Sequence, residues 1–354
     1  MARASSAAPL VSVVVPCFNH GRFLREALAS VGTPDVTTEI VVIDDGSTDE
    51  TPQVIGSFRT PNLFCPVRQP NAGLAAARNR GLKESRGLYL IFLDADDRLA
   101  AGAVDLAGRM LEDHADCALV YGRCQMMDQD GTPVPTPRQP RIARDHYREL
   151  LRRNHIWMPA MAAFRRGPLE GIGGFNRRFD AAADYEAYLR IARQHPVHDH
   201  GQLVAYYRKH EANMSGNTTR MLRETLAVMR TQRAFLDGDE ISLAAYRQGW
   251  RNWQDHYGTE LVNEIRRAAR HGRLVEAAAK SLILARYHPR GLWQHARRKT
   301  ELTLIPSRRA DLADDLREDE PAPLTRVSQS QQRRSPPRDD APPPRREACD
   351  RAER

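Results

Sequence analysis

Three carboxylates within four positions, Asp94, Asp96 and Asp97, close the apolar run of "LYLIFLDADD". Like charges this close repel and raise one another's pKa, so burying Leu90, Ile91, Phe92 and Leu93 does not by itself call for them. A divalent cation between the carboxylates removes the conflict. A hard ion such as Mg²⁺ or Mn²⁺ takes oxygen ligands, keeps one or two carboxylates and fills its remaining positions with water and phosphate oxygens. An EF-hand calcium loop does not fit: counting from Asp94, the fifth position is Arg98 and the sixth is Leu99 rather than glycine. A turn with helix-capping aspartates is the plain structural alternative.

A second acidic cluster lies in "EIVVIDDGSTDET". Asp49 falls at a helix entry and reads as a cap. Asp44 and Asp45 end a β-branched run, where a parallel sheet presents side chains to a ligand and a carboxylate accepts hydrogen bonds from a base N–H or ribose hydroxyls. The glycine fingerprints of two nucleotide-binding classes are missing: "VVVPCFNHGRF" has no GxGxxG, and no GxxxxGK[ST] occurs anywhere. Hydride transfer on a dinucleotide and P-loop ATPase chemistry are thereby disfavoured.

The elements that must position these groups follow from the periodicity. "VSVVVP", "EIVVID", a weaker "NLFCPVRQ", "LYLIFLD" and "CALVYG" read as strands, with amphipathic helical segments between them. Continuous Val/Ile runs alternating with helices predict an α/β, doubly wound, mostly parallel sheet. Farther on, "RDHYRELLRRN" reads as a helix, "PAMAAFRR" as a strand and "QLVAYYRKHEANMS" as a strand and its exit. From Thr218 to His295 the pattern is helical, in the segments "RMLRETLAVMRTQRAFL", "ISLAAYRQGWRNWQDHYG" and a hairpin turning at "RHGR". One hairpin is too little for a free-standing solenoid, so packing on the sheet domain is expected. Beyond Pro306 the chain is dominated by Arg, Asp, Glu, Pro, Ser and Gln, a composition that cannot bury enough apolar surface to fold. The expected organisation is a flexible N-terminus (1–9), a sheet domain (10–215) with halves 10–122 and 123–215, an α-helical C-terminal region (216–305) and a disordered tail (306–354).

The 354 residues carry a formal net charge of +8, mostly as arginine, which suits phosphate-bearing ligands or an anionic membrane surface. Aromatics are only 6% and no basic stripe interleaves with them, so no nucleic-acid partner is expected. Cys17, Cys65, Cys117, Cys124 and Cys349 show no CxxC spacing and read as reduced thiols of a cytoplasmic protein. No apolar h-region opens the chain, and no window approaches the roughly 18 apolar residues of a membrane span, so contact with a membrane is expected to be peripheral at most.

In order, "VSVVVPCFNHGRFLREALASV", "EIVVIDDGSTDET", "QPNAGLAAARNRGL" and "GLYLIFLDADD" resemble the successive motifs of glycosyltransferase family 2. The resemblance continues more weakly through "FRRGPLEGIGGFNRRF", "DYEAYLRIA" and "YRKHEANMS" to about residue 215. It implies a GT-A fold and an inverting enzyme that binds a nucleotide-diphosphate sugar, most often a UDP-sugar, and holds its diphosphate on Mn²⁺ or Mg²⁺. Asp94-Ala95-Asp96 matches the family's DxD motif, with Asp96 the first choice for the metal and Asp94 and Asp97 in support. Pro16 and Phe18 are implied to line the base pocket, with Asp44 and Asp45 meeting the base or ribose. Asn71, Gly73 and Arg78 are implied to belong to the donor site, and His210, with Arg208 beside it, to reach the metal or diphosphate. Asp184 is implied as the base that takes the acceptor proton; Ala183 stands where the family commonly has Glu, and Glu186 is the fallback. Trp157 fits either an acceptor-stacking or a core role. The implied acceptor is a polysaccharide, a lipid-linked glycan or another hydroxyl compound. A sugar-phosphate nucleotidyltransferase lacks its glycine-rich loop here, and a non-catalytic sugar-nucleotide-binding scaffold finds support only in Ala183.

Overall fold

A computed structural model of the chain describes residues 10–289. The expected flexible segment 1–9, the end of the helical region (290–305) and the expected disordered tail lie outside the described residues. β1 (Val11–Cys17), β2 (Thr38–Asp44) and β4 (Tyr89–Phe92) are buried along their whole lengths, as strands covered on both faces must be. β3 (Leu63–Arg68) alternates between exposed and half-buried positions. It closes one edge of the sheet, where Pro66 is tolerated. α1 (Gly21–Ala29), α2 (Thr51–Ser57) and α3 (Leu74–Glu84) connect these strands, and Asp49 accepts from the amides of Thr51 and Gly21, tying the starts of α2 and α1 together.

The rest of the sheet is mixed. β5 (Arg98–Leu99), α4 (Ala103–Asp113), β6 (Leu119–Met127), α5 (His146–Arg152), β7 (Ala162–Arg165), α6 (Arg166–Gly171), α7 (Ala183–Gln194) and β8 (Val197–Arg208) follow in sequence. The strand order is β3-β2-β1-β4-β7-β6-β8-β5, with β7 antiparallel to both neighbours and β5 antiparallel to β8. β1 lies between β2 and β4, so the order reverses at the β1/β4 crevice, the place where such sheets bind ligands. β5 is only two residues long, yet its pairing with Tyr206 and Ala205 fixes where the acidic loop before it meets the end of β8.

Three helices complete the described fold: α8 (Thr218–Gln232), α9 (Glu240–Arg270) and α10 (Leu274–Tyr287). Val228, Met229 and Ala245 join the sheet's own core, as packing on the sheet domain requires. The two segments expected on either side of "HYG" are one continuous 31-residue helix. Gly258 does not break it, because that glycine serves close packing: a Cβ there would lie 2.7 Å from the His288 ring. Gly249 has the same role against α5, where a Cβ would lie 1.7 Å from the Leu151 carbonyl oxygen. No described helix is long and apolar enough to cross a membrane.

Candidate active site

The acidic loop after β4 is a turn closed by the Asp97 amide donating to the Asp94 carbonyl at 3.0 Å. This turn sends the three carboxylates in different directions. Asp94 accepts from Arg78 Nη2 at 2.8 and 3.1 Å. Asp96 Oδ2 lies 2.9 Å from His210 Nε2 and 3.9 Å from His20 Nδ1. Asp97 is buried, and its Oδ1 accepts from the Arg208 amide at 2.8 Å. Burial, reinforced by the charges of Asp96 and Asp94, raises the Asp97 carboxyl well above the ordinary range. Burial works the same way on Asp96, but the His210 hydrogen bond and the neighbouring His20 outweigh it and lower its pKa.

One metal-capable group forms among the described residues. His20, Asp96 and His210 each offer one ligand atom, all within 4.8 Å of one another. Two imidazoles and one carboxylate fit a divalent ion, and the nitrogen donors suit Mn²⁺ better than the oxygen-seeking Mg²⁺. Asp94 and Asp97, expected as further ligands, are not in this group: the first is occupied by Arg78 and the second faces the β8 backbone. His20 was not foreseen as a ligand. Its signal was its place, three residues beyond the carboxyl end of β1 on the same sheet edge as Asp96.

Arg208 also departs from expectation. Its side chain is 1% exposed and turns away from the cavity, donating to the carbonyls of Asp96 and Gln129 and to Glu26 Oε2. It is a brace that holds the backbone of Asp96 in place rather than a contact for the donor. Replacing Arg208 with Met strands the Asp96 and Gln129 carbonyls and removes one of the two arginines on Glu26; the loss expected in urea unfolding is about 2–4 kcal/mol.

Beside this group opens a cavity of about 970 Å³, at the upper end of ordinary ligand sites. Pro16, Phe18, Asp45, Asn71, Gly73 and Arg78 line it, together with His20, Asp94, Asp96 and Asp184. Phe18 is 45% exposed, an apolar ring offered to a planar partner. Asp45 Oδ1 accepts from Gln69 Nε2 and the Ala72 amide, and Oδ2 from the Gly73 amide. A carboxylate has about four acceptor positions, so roughly one is left for a ligand N–H or hydroxyl. Asp44 does not share this placement. Consecutive strand residues point to opposite sides, and its carboxylate accepts from the Ser47 amide and pairs with Arg68 at 3.4 Å. Gly73, at φ 90°, starts α3 from a conformation that side chains disfavour, and Asp180 caps that helix through the Ala75 amide.

Asp184 stands in the first turn of α7 and lines the same cavity. Its Oδ1 accepts from the Tyr185 amide at 2.7 Å, and among the described residues Oδ2 has no hydrogen bond. Burial raises its pKa to about 6, with the Arg78 charge holding it from rising further. Arg78 is 2% exposed and acts on both Asp94 and Asp184, so one guanidinium ties the acidic loop to α7 electrostatically. The fallback, Glu186, is removed from the chemistry: it is 3% exposed and bound to Arg190 at 2.6 Å. Ala183 is fully buried in the core and is not among the residues that line the cavity. Trp157 lines the cavity and also packs against the core. Lys209, unforeseen, lines the cavity too, its pKa lowered by burial against the pull of Glu260.

The described cysteines, Cys17, Cys65, Cys117 and Cys124, are free.

The sheet, the switch-point crevice and the flanking helices are those of the GT-A fold. The solved structure of S. aureus TarS 1-349 in complex with UDP superimposes with a TM-score of 0.54 at 19% identity, over 70% of this chain and 71% of that one. A mannosyltransferase from Pyrobaculum calidifontis, solved with GDP-Man and Mn²⁺, gives 0.54 at 22% identity, over 81% of this chain and 84% of that one. Residues 12–173 match the family model described as glycosyl transferase family 2. It is similar to the chondroitin synthase of Pasteurella multocida (strain Pm70), at 27% identity over 187 residues, 52% of this chain. The match spans only 19% of that relative's length.

Proposed function

We propose that the protein is a metal-dependent, inverting glycosyltransferase that moves a sugar from a nucleotide-diphosphate sugar to an acceptor hydroxyl. The observation that carries this reading is a single cavity lined by a base-type pocket (Pro16, Phe18, Asp45), a metal-capable edge (Asp96 with His20) and a carboxylate with a raised pKa (Asp184). His20, Asp96 and His210 are the residues that would hold the ion. Bound there, a divalent cation supplies Lewis-acid charge for the departing diphosphate.

The remaining work falls to side chains of the chain itself. A sugar hydroxyl is a weak nucleophile at neutral pH, and Asp184 accepts its proton as the acceptor oxygen attacks the anomeric carbon. The new C–O bond forms as the bond to the diphosphate oxygen breaks on the opposite side, which inverts the centre. Arg78 fixes the distance between the donor loop and the base by holding Asp94 while its charge stabilises ionised Asp184.

UDP is the favoured nucleotide, supported by the family's habit and by the spare acceptor position of Asp45, which suits a base that donates an N–H. The acceptor is assigned to cell-surface polysaccharide or glycolipid synthesis, on the strength of the similarity to a chondroitin synthase. The arginine excess supports a reaction at or near an anionic membrane face, and co-sedimentation with anionic vesicles at low salt is its expected sign.

The test is a thermal-shift screen of UDP- and GDP-sugars with Mn²⁺, followed by transfer assays on saccharide and lipid-linked acceptors. A rise in Tm only when nucleotide and metal are both present, with transfer, is the expected result. Nucleotide binding without turnover on any acceptor would favour the scaffold reading instead.

A further inference from the structure

The cavity wall beyond Asp184 comes from outside the family-matched segment. Asn252, Trp253, His256, Tyr257 and Glu260 of α9 all line it, and their spacing of one, three, one and three puts them on one helix face. Trp253 is fixed there on two sides. Its indole lies nearly parallel to Tyr257, with ring centroids 5.6 Å apart and 8° between planes. Its Nε1–H donates to Tyr185 Oη at 3.3 Å, and that hydroxyl donates to the Leu150 carbonyl at 2.7 Å. The residue after the proposed base therefore orients the tryptophan.

The face is also more polar than close packing explains. Asn252 donates to the Arg152 carbonyl, but His256 and Glu260 are exposed and line the open space. An aromatic plane flanked by an imidazole, a carboxylate and an amide matches the chemistry of a pyranose ring, which has apolar C–H faces and a rim of hydroxyls. Peptide or nucleic acid would be read by different means, an exposed sheet edge or a basic groove.

We infer that this face of α9 is the acceptor subsite and that it takes a saccharide, stacking a sugar ring near Trp253 and holding its hydroxyls with His256 and Glu260. The inference rests on the glycosyltransferase reading and adds that the helical region, outside the matched residues 12–173, selects the acceptor.

The test uses the full chain with UDP and Mn²⁺, titrated with disaccharides of gluco, galacto and manno configuration, with and without N-acetyl groups, and followed by saturation-transfer NMR. At least one disaccharide is expected to receive saturation on its ring C–H protons. His256→Ala and Glu260→Gln are each expected to weaken that binding by about tenfold, the effect of one lost hydrogen bond to a charged or polar group. Trp253→Phe is expected to weaken it too. The UDP–Mn²⁺ thermal shift should stay as in the unmodified protein in all three variants, and both polar variants alter exposed side chains, so folding is not at stake. Failure of every disaccharide to bind, or equal binding by the His256 and Glu260 variants, overturns the inference. Loss of the UDP–Mn²⁺ shift in the unmodified protein instead overturns the glycosyltransferase reading on which it rests.

Discussion

Asp184→Asn is expected to lower sugar transfer about 10²–10⁴-fold, the usual share of a positioned general base, while UDP-sugar and Mn²⁺ binding persist. The amide keeps the shape of the carboxyl but cannot accept the acceptor proton. Single-turnover transfer, measured beside a thermal shift with donor and metal, separates the two effects. Retained transfer with lost donor binding would place Asp184 on the donor side and sink its role as base.

Asp184 also predicts two pH effects. As a base it must be ionised, so the transfer rate should fall as pH drops through about 6. Its stability effect runs the other way. Burial raises the folded carboxyl from 3.8 to about 6, so the folded state binds this proton more tightly than the unfolded chain. The contribution to stability is fully present below the unfolded value and is lost as pH rises through the folded one. Above that window the ionised form costs about 1–2 kcal/mol, discounted for partial exposure to the cavity. Asp184→Asn should therefore raise Tm at pH 8 and lose that advantage near pH 4. An unchanged difference across this range would mean that the carboxyl is not held in a desolvated place.

The second large effect is expected at Asp96. Asp96→Ala removes the only carboxylate of the His20–Asp96–His210 group, leaving two imidazoles to hold a divalent cation without anionic charge. Transfer should fall about 10³-fold, the equivalent of several kcal/mol of charge stabilisation in the transition state. The Mn²⁺-dependent part of the thermal shift with UDP should vanish. EDTA should bring the unmodified protein to the same low rate, with recovery on adding Mn²⁺ and weaker recovery with Mg²⁺ because of the nitrogen donors. His20→Ala tests the ligand that the motifs did not point to. If it binds Mn²⁺ like the unmodified protein, the imidazole after β1 is only a neighbour of Asp96.

Most of the first half is legible in the sequence. β1, β2 and β4 are fully buried runs of Val, Ile, Leu and Phe, and such runs declare themselves because a strand covered on both faces needs no polar alternation. Pro16, Phe18, Asp45, Arg78, Asp96 and Asp184 follow from those strand ends and from the family's motif order, and all of them line the cavity. The helical pattern after residue 218 was equally plain, but its continuity through Gly258 was not, since a glycine reads locally as a break and only its contact with His288 shows why it is there.

By itself, then, the sequence determined the main strands, their chemical edges and the resemblance to a family. The tertiary structure decided which side chains at those edges share one space. A turn at 94–97 gave three neighbouring carboxylates different partners, and the alternation at 44–45 divided a pair between cavity and framework, because backbone geometry aims adjacent residues in different directions. The pairing of β5 with β8 brought His210 to Asp96 across 114 residues, and the packing of α9 over Tyr185 supplied a wall that no local pattern announces. Both outcomes depend on contacts between segments far apart in the chain, and periodicity within one segment carries no record of its partner.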